Sequence, residues 1–356
     1  MKRTLPSRSN GWALALALVS LTPLAGLAQV PGARHNRGDL DRDRVVAAAD
    51  LRLLAGYLAG NAAGFPSGPG AADWDEDGAV TLLDLVWQNQ AMAGCAVDDL
   101  VRAGFRASRL LSPFPGAAYW EGVGDTVAGR RLCSIPGGVW IVGLVGDEGD
   151  CLLNFPSPGG AWPHVSFRVD DQNEAWLDWF DTRGLEVWLQ VEPGLADVPT
   201  LLGLVLDRYG HHPCVIGCGI DVEWLGYPSF SAGRAVTDAD ALAWSVQVRG
   251  YDPAYTLFLK HWLTGKMPPS ARTGLVFVDD SQGFPSLSAL VAEFQEWGAH
   301  FAPAPVGFQF GYAADRTWWQ QLDDPPSGIS AALLGAVPNT AGLFWVDFTV
   351  YEVFPP

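Results

Sequence analysis

From about residue 116 onward the chain alternates short apolar runs with amphipathic stretches. Eight runs of strand length fall at residues 139–145, 151–155, 185–191, 214–224, 256–262, 274–279, 306–310 and 343–350. Between several of them the apolar positions recur with helical spacing, at 173–182, 198–209, 238–248, 287–300 and 317–322. Strands alternating with helices predict a parallel sheet, and eight of them predict a closed α/β barrel of the (β/α)8, or TIM, type over residues 116–356. Met267-Pro268-Pro269 rules out a regular helix between the fifth and sixth runs, because proline removes a helix donor and clashes with the preceding turn.

Successive side chains of a strand point to opposite faces, so parity sorts each run into a helix-facing and a barrel-facing set. In the fourth run Ile216, Cys218, Ile220 and Val222 share one parity, and Gly217, Gly219, Asp221 and Glu223 the other. The carboxylates of the second set therefore point inward near the C-terminal end. The same reasoning sends Gln190 and Glu192 inward from the third run, and Phe258, Lys260 and Trp262 from the fifth. In the sixth, Val276 and Val278 are read as outward, with Phe277 and Asp279 inward. The seventh adds Gln309, the eighth Asp347 and the second Asn154. The C-terminal rim of a barrel is where side chains from several strands converge on a substrate. Lys260 can neutralise one of Glu192, Asp221, Glu223, Asp279 and Asp347 but not all five, so the rim carries an acidic surplus.

The N-terminal third is organised differently. Lys2, Arg3 and Arg8, an apolar stretch at 12–21 and the small-residue site Gly26-Leu27-Ala28 predict a secretory signal peptide over residues 1–28. That stretch is shorter than the roughly 20 residues a membrane span requires, and no comparable run follows, so no membrane span is expected. Beyond it, Asp39, Asp41, Asp43 and Asp50 stand at positions 1, 3, 5 and 12 of a loop, and Asp73, Asp75, Asp77 and Asp84 repeat the pattern 34 residues later. Calcium takes about six to eight oxygens, which a 12-residue loop with a closing carboxylate supplies. Gly78 sits at the sharp turn of the second loop; Arg44 replaces it in the first, and Ala47 removes a water-holding side chain there, so the first site is expected to bind more weakly.

On these eight carboxylates in register, residues 37–94 resemble a dockerin, a small all-α module built from two EF-hand-like calcium loops that end in Asp. The resemblance implies two bound Ca2+ ions and a cohesin-type scaffold protein as partner. The paired positions Ala48-Ala49 and Leu82-Leu83, which match the partner-recognition positions of dockerins, differ between the repeats. The expected organisation is signal peptide 1–28, calcium module 34–94, linker 95–115 and barrel 116–356.

Composition narrows the chemistry. With 22 Lys and Arg against 39 Asp and Glu, the formal charge is −17, the wrong sign for binding a phosphate backbone, so nucleic acid is excluded as a partner. Five scattered cysteines make no disulfide scaffold, although one or two bridges are open to an extracellular chain. Cys214 and Cys218 read as core, and His211 and His212 as structural or exposed groups at the N-terminal end of the fourth run. No phosphate-binding glycine loop and no metal-spaced histidine set accompanies the acidic rim.

Clustered carboxylates suit glycosidic hydrolysis, in which one carboxylic acid protonates the leaving oxygen and a second carboxylate acts as nucleophile or base. Glu223 is the expected acid, Asp221 its modulator, and Asp279, Asp347 or Glu192 the second carboxylate. Asp221-Val222-Glu223 is similar to the D-x-E ending of the strand-four motif in family 18 chitinases, where Glu is the acid and Asp orients the substrate; Ile216 and Gly219 replace that motif's other acidic positions. In the larger glycosidase clan with a strand-four acid, strand seven carries a Glu where this chain has Gln309. Sixteen tryptophans favour sugar stacking, with Trp224, Trp262, Tyr312 and Trp345 the expected platforms, and Asn154, Gln190, Lys260 and Gln309 the expected hydroxyl-binding groups. The expectation is a secreted glycoside hydrolase acting on a polysaccharide or oligosaccharide, with no cofactor in the barrel. Two alternatives stay open: an inert carbohydrate-binding barrel, and a divalent metal held by Glu192, Asp221 and Asp279.

Overall fold

The computed structural model describes residues 30–31, 38, 40, 45–46, 48–61, 64–67, 71–73, 80–81, 88, 100–128, 134–227 and 233–356. Eight strands, β1 (Val101–Ala107), β2 (Ser134–Val145), β3 (Glu186–Val191), β4 (Val215–Asp221), β5 (Thr256–Lys260), β6 (Leu275–Asp279), β7 (Val306–Phe310) and β8 (Thr340–Val346), pair in parallel in chain order. β8 returns to pair with β1, which closes the barrel. Helices α1 (Ala117–Ala128), α2 (Glu174–Arg183), α3 (Val198–Tyr209), α4 (Asp238–Tyr251), α5 (Leu287–Phe301) and α6 (Pro325–Ala336) follow β1, β2, β3, β4, β6 and β7. After β5 there is instead a short 3-10 turn, Thr264–Lys266, where the Pro268-Pro269 pair was expected to forbid a helix.

Two strands differ from the expectation. β1 lies within the segment expected to be linker. Its sequence, Val-Arg-Ala-Gly-Phe-Arg-Ala, puts arginine where an apolar run would show a hydrophobe, and the fold accommodates both arginines by ion pairing, Arg102 with Glu186 at 2.9 Å and Arg106 with Asp347 at 3.0 Å. The run at 151–155 is not a barrel strand: Cys151–Leu153 folds back antiparallel on the end of β2 and pairs with Val165–Phe167 outside the barrel.

The barrel interior is filled by Val139, Ile141, Trp188, Phe258, Val276, Val278 and Phe344. Gly219 makes room for this layer, because a Cβ there would sit 1.9 Å from the Phe258 ring. The opposite parity packs under the helices: Phe277 stacks on Phe301 of α5 at 4.1 Å and Phe308 on Phe294 of the same helix at 4.5 Å. The expected parity of β6 is therefore reversed. Leu275 to Val278 are apolar on both faces, so polarity does not mark which side of this strand turns inward. Size decides instead: the bulky Phe277 fills the helix layer, and the two valines fit beside Trp188, Phe258 and Phe344.

In the N-terminal module, helix Ala48–Leu58 follows the first predicted calcium loop. Leu40, Leu54 and Ala72 form its small core, and the Gly38 N–H donates to the Ala71 carbonyl at 2.8 Å, tying the two repeats together. Residues 1–28, the predicted signal peptide, lie outside the described residues, as do Cys95 and Cys133. Cys151, Cys214 and Cys218 are buried, and among the described residues no disulfide joins them to one another. Among the described residues no helix is long and apolar enough to cross a membrane.

Because β1 closes the barrel between β2 and β8, a chain starting at residue 116 leaves two parallel edges unpaired. It is expected to be unfolded or aggregated, whereas a chain starting at residue 98 should melt cooperatively; far-UV circular dichroism with thermal unfolding distinguishes the two.

Candidate active site

The mouth of the barrel is built at the ends of β1, β3, β4, β5, β6 and β7. Lys260, the last residue of β5, is 3% exposed and lies between Asp221 at the end of β4, 2.8 Å away, and Asp280 just beyond β6, 2.5 Å away. Burial alone would discharge the ammonium, but Asp221 and Asp280 outweigh it and hold the pKa of Lys260 well above its usual value. On the opposite wall Arg106 of β1 pairs with Asp347, whose second oxygen accepts from both the N–H and the hydroxyl of Ser108 at 2.6 Å. The Arg106 guanidinium also lies 4.8 Å from the centre of the Phe348 ring and is drawn toward Glu192 and Asp221.

Two cations thus face five carboxylates, and they reach three of them. Glu192 and Glu223 have no cation within ion-pair distance among the described residues. Glu192 follows β3 and is 7% exposed; its Oε2 accepts from the Val145 N–H at 3.0 Å. Glu223 stands in the 3-10 turn Val222–Trp224 that β4 runs into and is half-buried. Burial first, then the charge of Asp221, pushes both carboxyls up to about 7. A carboxyl raised this far is divided between its protonated and ionised forms near neutrality.

Polar groups without partners converge on the same space. Among the described residues Arg106 Nε and Gln309 Nε2 are buried donors with no acceptor, and Gln190 Oε1, Asp221 Oδ1 and Asp280 Oδ1 are buried acceptors with no donor. The remaining atoms of these side chains are held: Gln190 Nε2 donates to Asp221 at 3.3 Å, and Gln309 Oε1 accepts from the Tyr312 hydroxyl at 3.4 Å. Burial raises the Tyr312 pKa, so the phenol keeps its proton. A mixture of fixed donors and acceptors matches a ligand rich in hydroxyls, each of which both donates and accepts.

The structure brings together Gln190, Glu192, Asp221, Glu223, Lys260, Gln309 and Tyr312 from the expected set. It separates others. Asp279 shares the parity of Phe277 and lies toward the helix layer, its Oδ1 accepting from the Ser281 N–H at 2.8 Å; Asp280 takes its expected place in the mouth. Asp347 reaches the mouth only as the fixed partner of Arg106. Trp345 is core, donating to Thr349 at 3.0 Å and packing edge-on against Trp319. Asn154 sits in the hairpin, where its Nδ2 donates to the Ile141 carbonyl and its own carbonyl accepts from Asn173. Trp224 and Trp262 are half-buried, and Trp262 packs against His261 at 4.4 Å. With Asp279 directed outward, the alternative of a metal held by Glu192, Asp221 and Asp279 together loses one of its three ligands. Sequence reasoning missed Arg106, Asp280 and Phe348. The double Asp279-Asp280 was the available signal, since whichever parity β6 adopts, one of the two must reach the mouth.

Of the predicted calcium ligands, Asp50 and Asp73 are described, whereas Asp39, Asp41, Asp43, Asp75, Asp77 and Asp84 lie outside the described residues. Asp50 is fully buried and its Oδ1 accepts from the Leu40 N–H at 2.6 Å, so the closing carboxylate folds back onto the start of its own loop, as a loop wrapped around a cation requires.

Residues 37–92 form a dockerin type I domain, matched as such by its family. No curated protein matches the chain. Among solved structures, a β-D-glucuronidase of Dictyoglomus thermophilum is similar at 12% identity and a TM-score of 0.35, over 50% of this chain and 37% of that one. A proposed α-L-fucosidase from Bacteroides thetaiotaomicron is similar at 10% identity and a TM-score of 0.43, over 69% of this chain and 85% of that one. A β-galacturonidase from Eisenbergiella tayi, bound to galacturonate, is similar at 13% identity and a TM-score of 0.38, over 69% and 43%. The chain spans well under half the length of the β-glucuronidases it matches. Likeness at this level goes no further than the barrel, whose closure the strand pairings show by themselves.

The misdirected carboxylate gives a stability test. Burial holds the pKa of Asp279 well above its ordinary value, so its unfavourable ionisation in the folded state begins above the unfolded pKa of about 3.9 and costs more stability as pH rises from there. Asp279→Asn is expected to raise the melting temperature at pH 7 by several degrees and to leave it nearly unchanged at pH 4. Differential scanning calorimetry at the two pH values measures this; equal shifts at both would contradict it.

Proposed function

We propose that the barrel hydrolyses O-glycosidic bonds of a polysaccharide or oligosaccharide, with Glu223 as the proton donor and Glu192 as the second carboxylate. The observation that carries this reading is the charge balance of the mouth. Arg106 and Lys260 form ion pairs with Asp347, Asp221 and Asp280, whereas Glu192 and Glu223 have no cation within ion-pair distance among the described residues and are both raised to about 7. Protonation of the leaving oxygen needs a carboxyl still protonated near neutrality, and attack or water activation needs a second one ionised. The fixed acceptors Gln190, Asp221 and Asp280 and the donors Arg106 and Gln309 orient sugar hydroxyls, while half-buried Trp224 and Trp262 offer rings to a sugar face.

Dockerin type I domains bind calcium and attach to cohesins. Residues 37–92 are accordingly assigned two calcium sites, one on Asp39, Asp41, Asp43 and Asp50 and one on Asp73, Asp75, Asp77 and Asp84, and a cohesin-type scaffold protein as partner. With the signal at 1–28, this makes the chain a secreted enzyme held on a scaffold near its substrate. Gln309, in place of a carboxylate on β7, favours one competing reading, a barrel that binds sugar without turnover.

Two variants test the proposal on a panel of aryl glycosides and polysaccharides. Glu223→Gln is expected to lower kcat/KM by about 10²- to 10⁴-fold while leaving binding intact. Asp221 raises the pKa of both glutamates; removing its charge stabilises their ionised forms, and the proton donor is lost at lower pH. Asp221→Asn should therefore move the alkaline limb of the pH–rate profile down, by roughly one unit. Sugar binding with no hydrolysis in the unmodified protein would select the binding barrel.

A further inference from the structure

A second constellation lies away from the mouth, on the approach to β4 at the opposite end of that strand from Asp221. The turn after α3 carries His211 and His212, and the first turn of α2 carries Glu174. Glu174 Oε1 lies 3.6 Å from His211 Nε2 and 3.5 Å from His212 Nε2. These separations exceed a good hydrogen bond, which ends at about 3.2 Å. They are close to the spacing of about 3.3 Å between ligand atoms in a tetrahedron with metal bonds of about 2.0–2.1 Å. The ligand atoms of all three residues lie within 4.8 Å of one another.

The surroundings orient the set. His212 is 1% exposed, and its Nδ1 lies 2.8 Å from Asp181 Oδ2. The other oxygen of Asp181 accepts from the Cys214 N–H at 2.8 Å, so the carboxylate cannot swing away. A carboxylate bound to one imidazole nitrogen directs the other nitrogen outward as a ligand, the arrangement that supports metal-bound histidines. The His211 and His212 rings lie 4.1 Å apart, and the Nε2 of each is nearest the same oxygen, Glu174 Oε1. Glu174 Oε2 turns toward Arg208, 3.8 Å away, leaving Oε1 to the histidines.

We infer that Glu174, His211 and His212 form a site for a divalent transition cation such as zinc, with Asp181 as the positioning residue. Two imidazoles and one carboxylate suit zinc better than calcium or magnesium, which prefer oxygen ligands throughout. The ion would tie the head of α2 to the turn that enters β4. It uses none of the predicted calcium ligands and lies at the opposite end of β4 from the mouth.

The test uses the full chain without an affinity tag, saturated with calcium, titrated calorimetrically with zinc chloride and then melted with and without zinc. His211 is 62% exposed and Glu174 37%, so His211→Ala and Glu174→Gln should both fold, which circular dichroism verifies. The unmodified protein is expected to take up one zinc equivalent more than either variant and to gain melting temperature with zinc, a gain that both variants lose. Unchanged zinc uptake in either variant overturns the assignment.

Discussion

Lys260 is one ammonium between two carboxylates in a space that water scarcely reaches, and the rest of the mouth follows from what it can neutralise. An isolated charge in such a place is costly, whereas a charge held in an ion pair with further hydrogen bonds is tolerated. Lys260 makes Asp221 and Asp280 tolerable, and Arg106 does the same for Asp347. Among the described residues no third cation lies within ion-pair distance of Glu192 or Glu223. A carboxyl held at about 7 instead of the usual 4 to 5 costs a fold on the order of 3 kcal/mol once it ionises. That is a large share of a typical stability, and in the hydrolysis proposed for the mouth these two carboxyls would give and take the proton.

The barrel delivers these groups to one place because parity and strand end coincide. Phe258 and Lys260 share a face of β5, so the ring fills the interior layer and the ammonium stands above it. Trp188, Gln190 and Glu192 climb from core to mouth in the same way at β3, and Gly219 beneath Asp221 yields its volume to Phe258. β1 contributes from the far side, with Arg102 paired to Glu186 near one end and Arg106 in the mouth at the other. The ion pairs therefore hold strands together as well as setting the charge.

How much of this was legible in the sequence depended on whether polarity or volume carried the information. The dockerin module was legible because eight aspartates recur in register along the sequence. β3, β4 and β5 were legible because one parity is polar and the other apolar. β6 was not, since Leu-Val-Phe-Val is apolar on both faces and only the sizes of neighbours contributed by distant strands decide which side faces in. β1 was hidden for the opposite reason: its arginines resemble a solvated segment until Glu186 and Asp347, far away in sequence, are seen to hold them. Trp345 was misplaced because a large ring at a strand end suits either a sugar platform or the helix layer, and its packing on Trp319 settles which.

Glu192 and Glu223 have no cation within ion-pair distance among the described residues, and both carboxyls are raised to about 7. The most direct measurement is a carboxyl carbon NMR titration of the protein labelled at glutamate, with Glu192→Gln and Glu223→Gln used to assign the two resonances. Midpoints near 7 for both carboxyls, well apart from those of the surface glutamates, are predicted. Midpoints near the ordinary glutamate value of about 4.3 would contradict the account, because the mouth would then supply no proton donor at neutral pH.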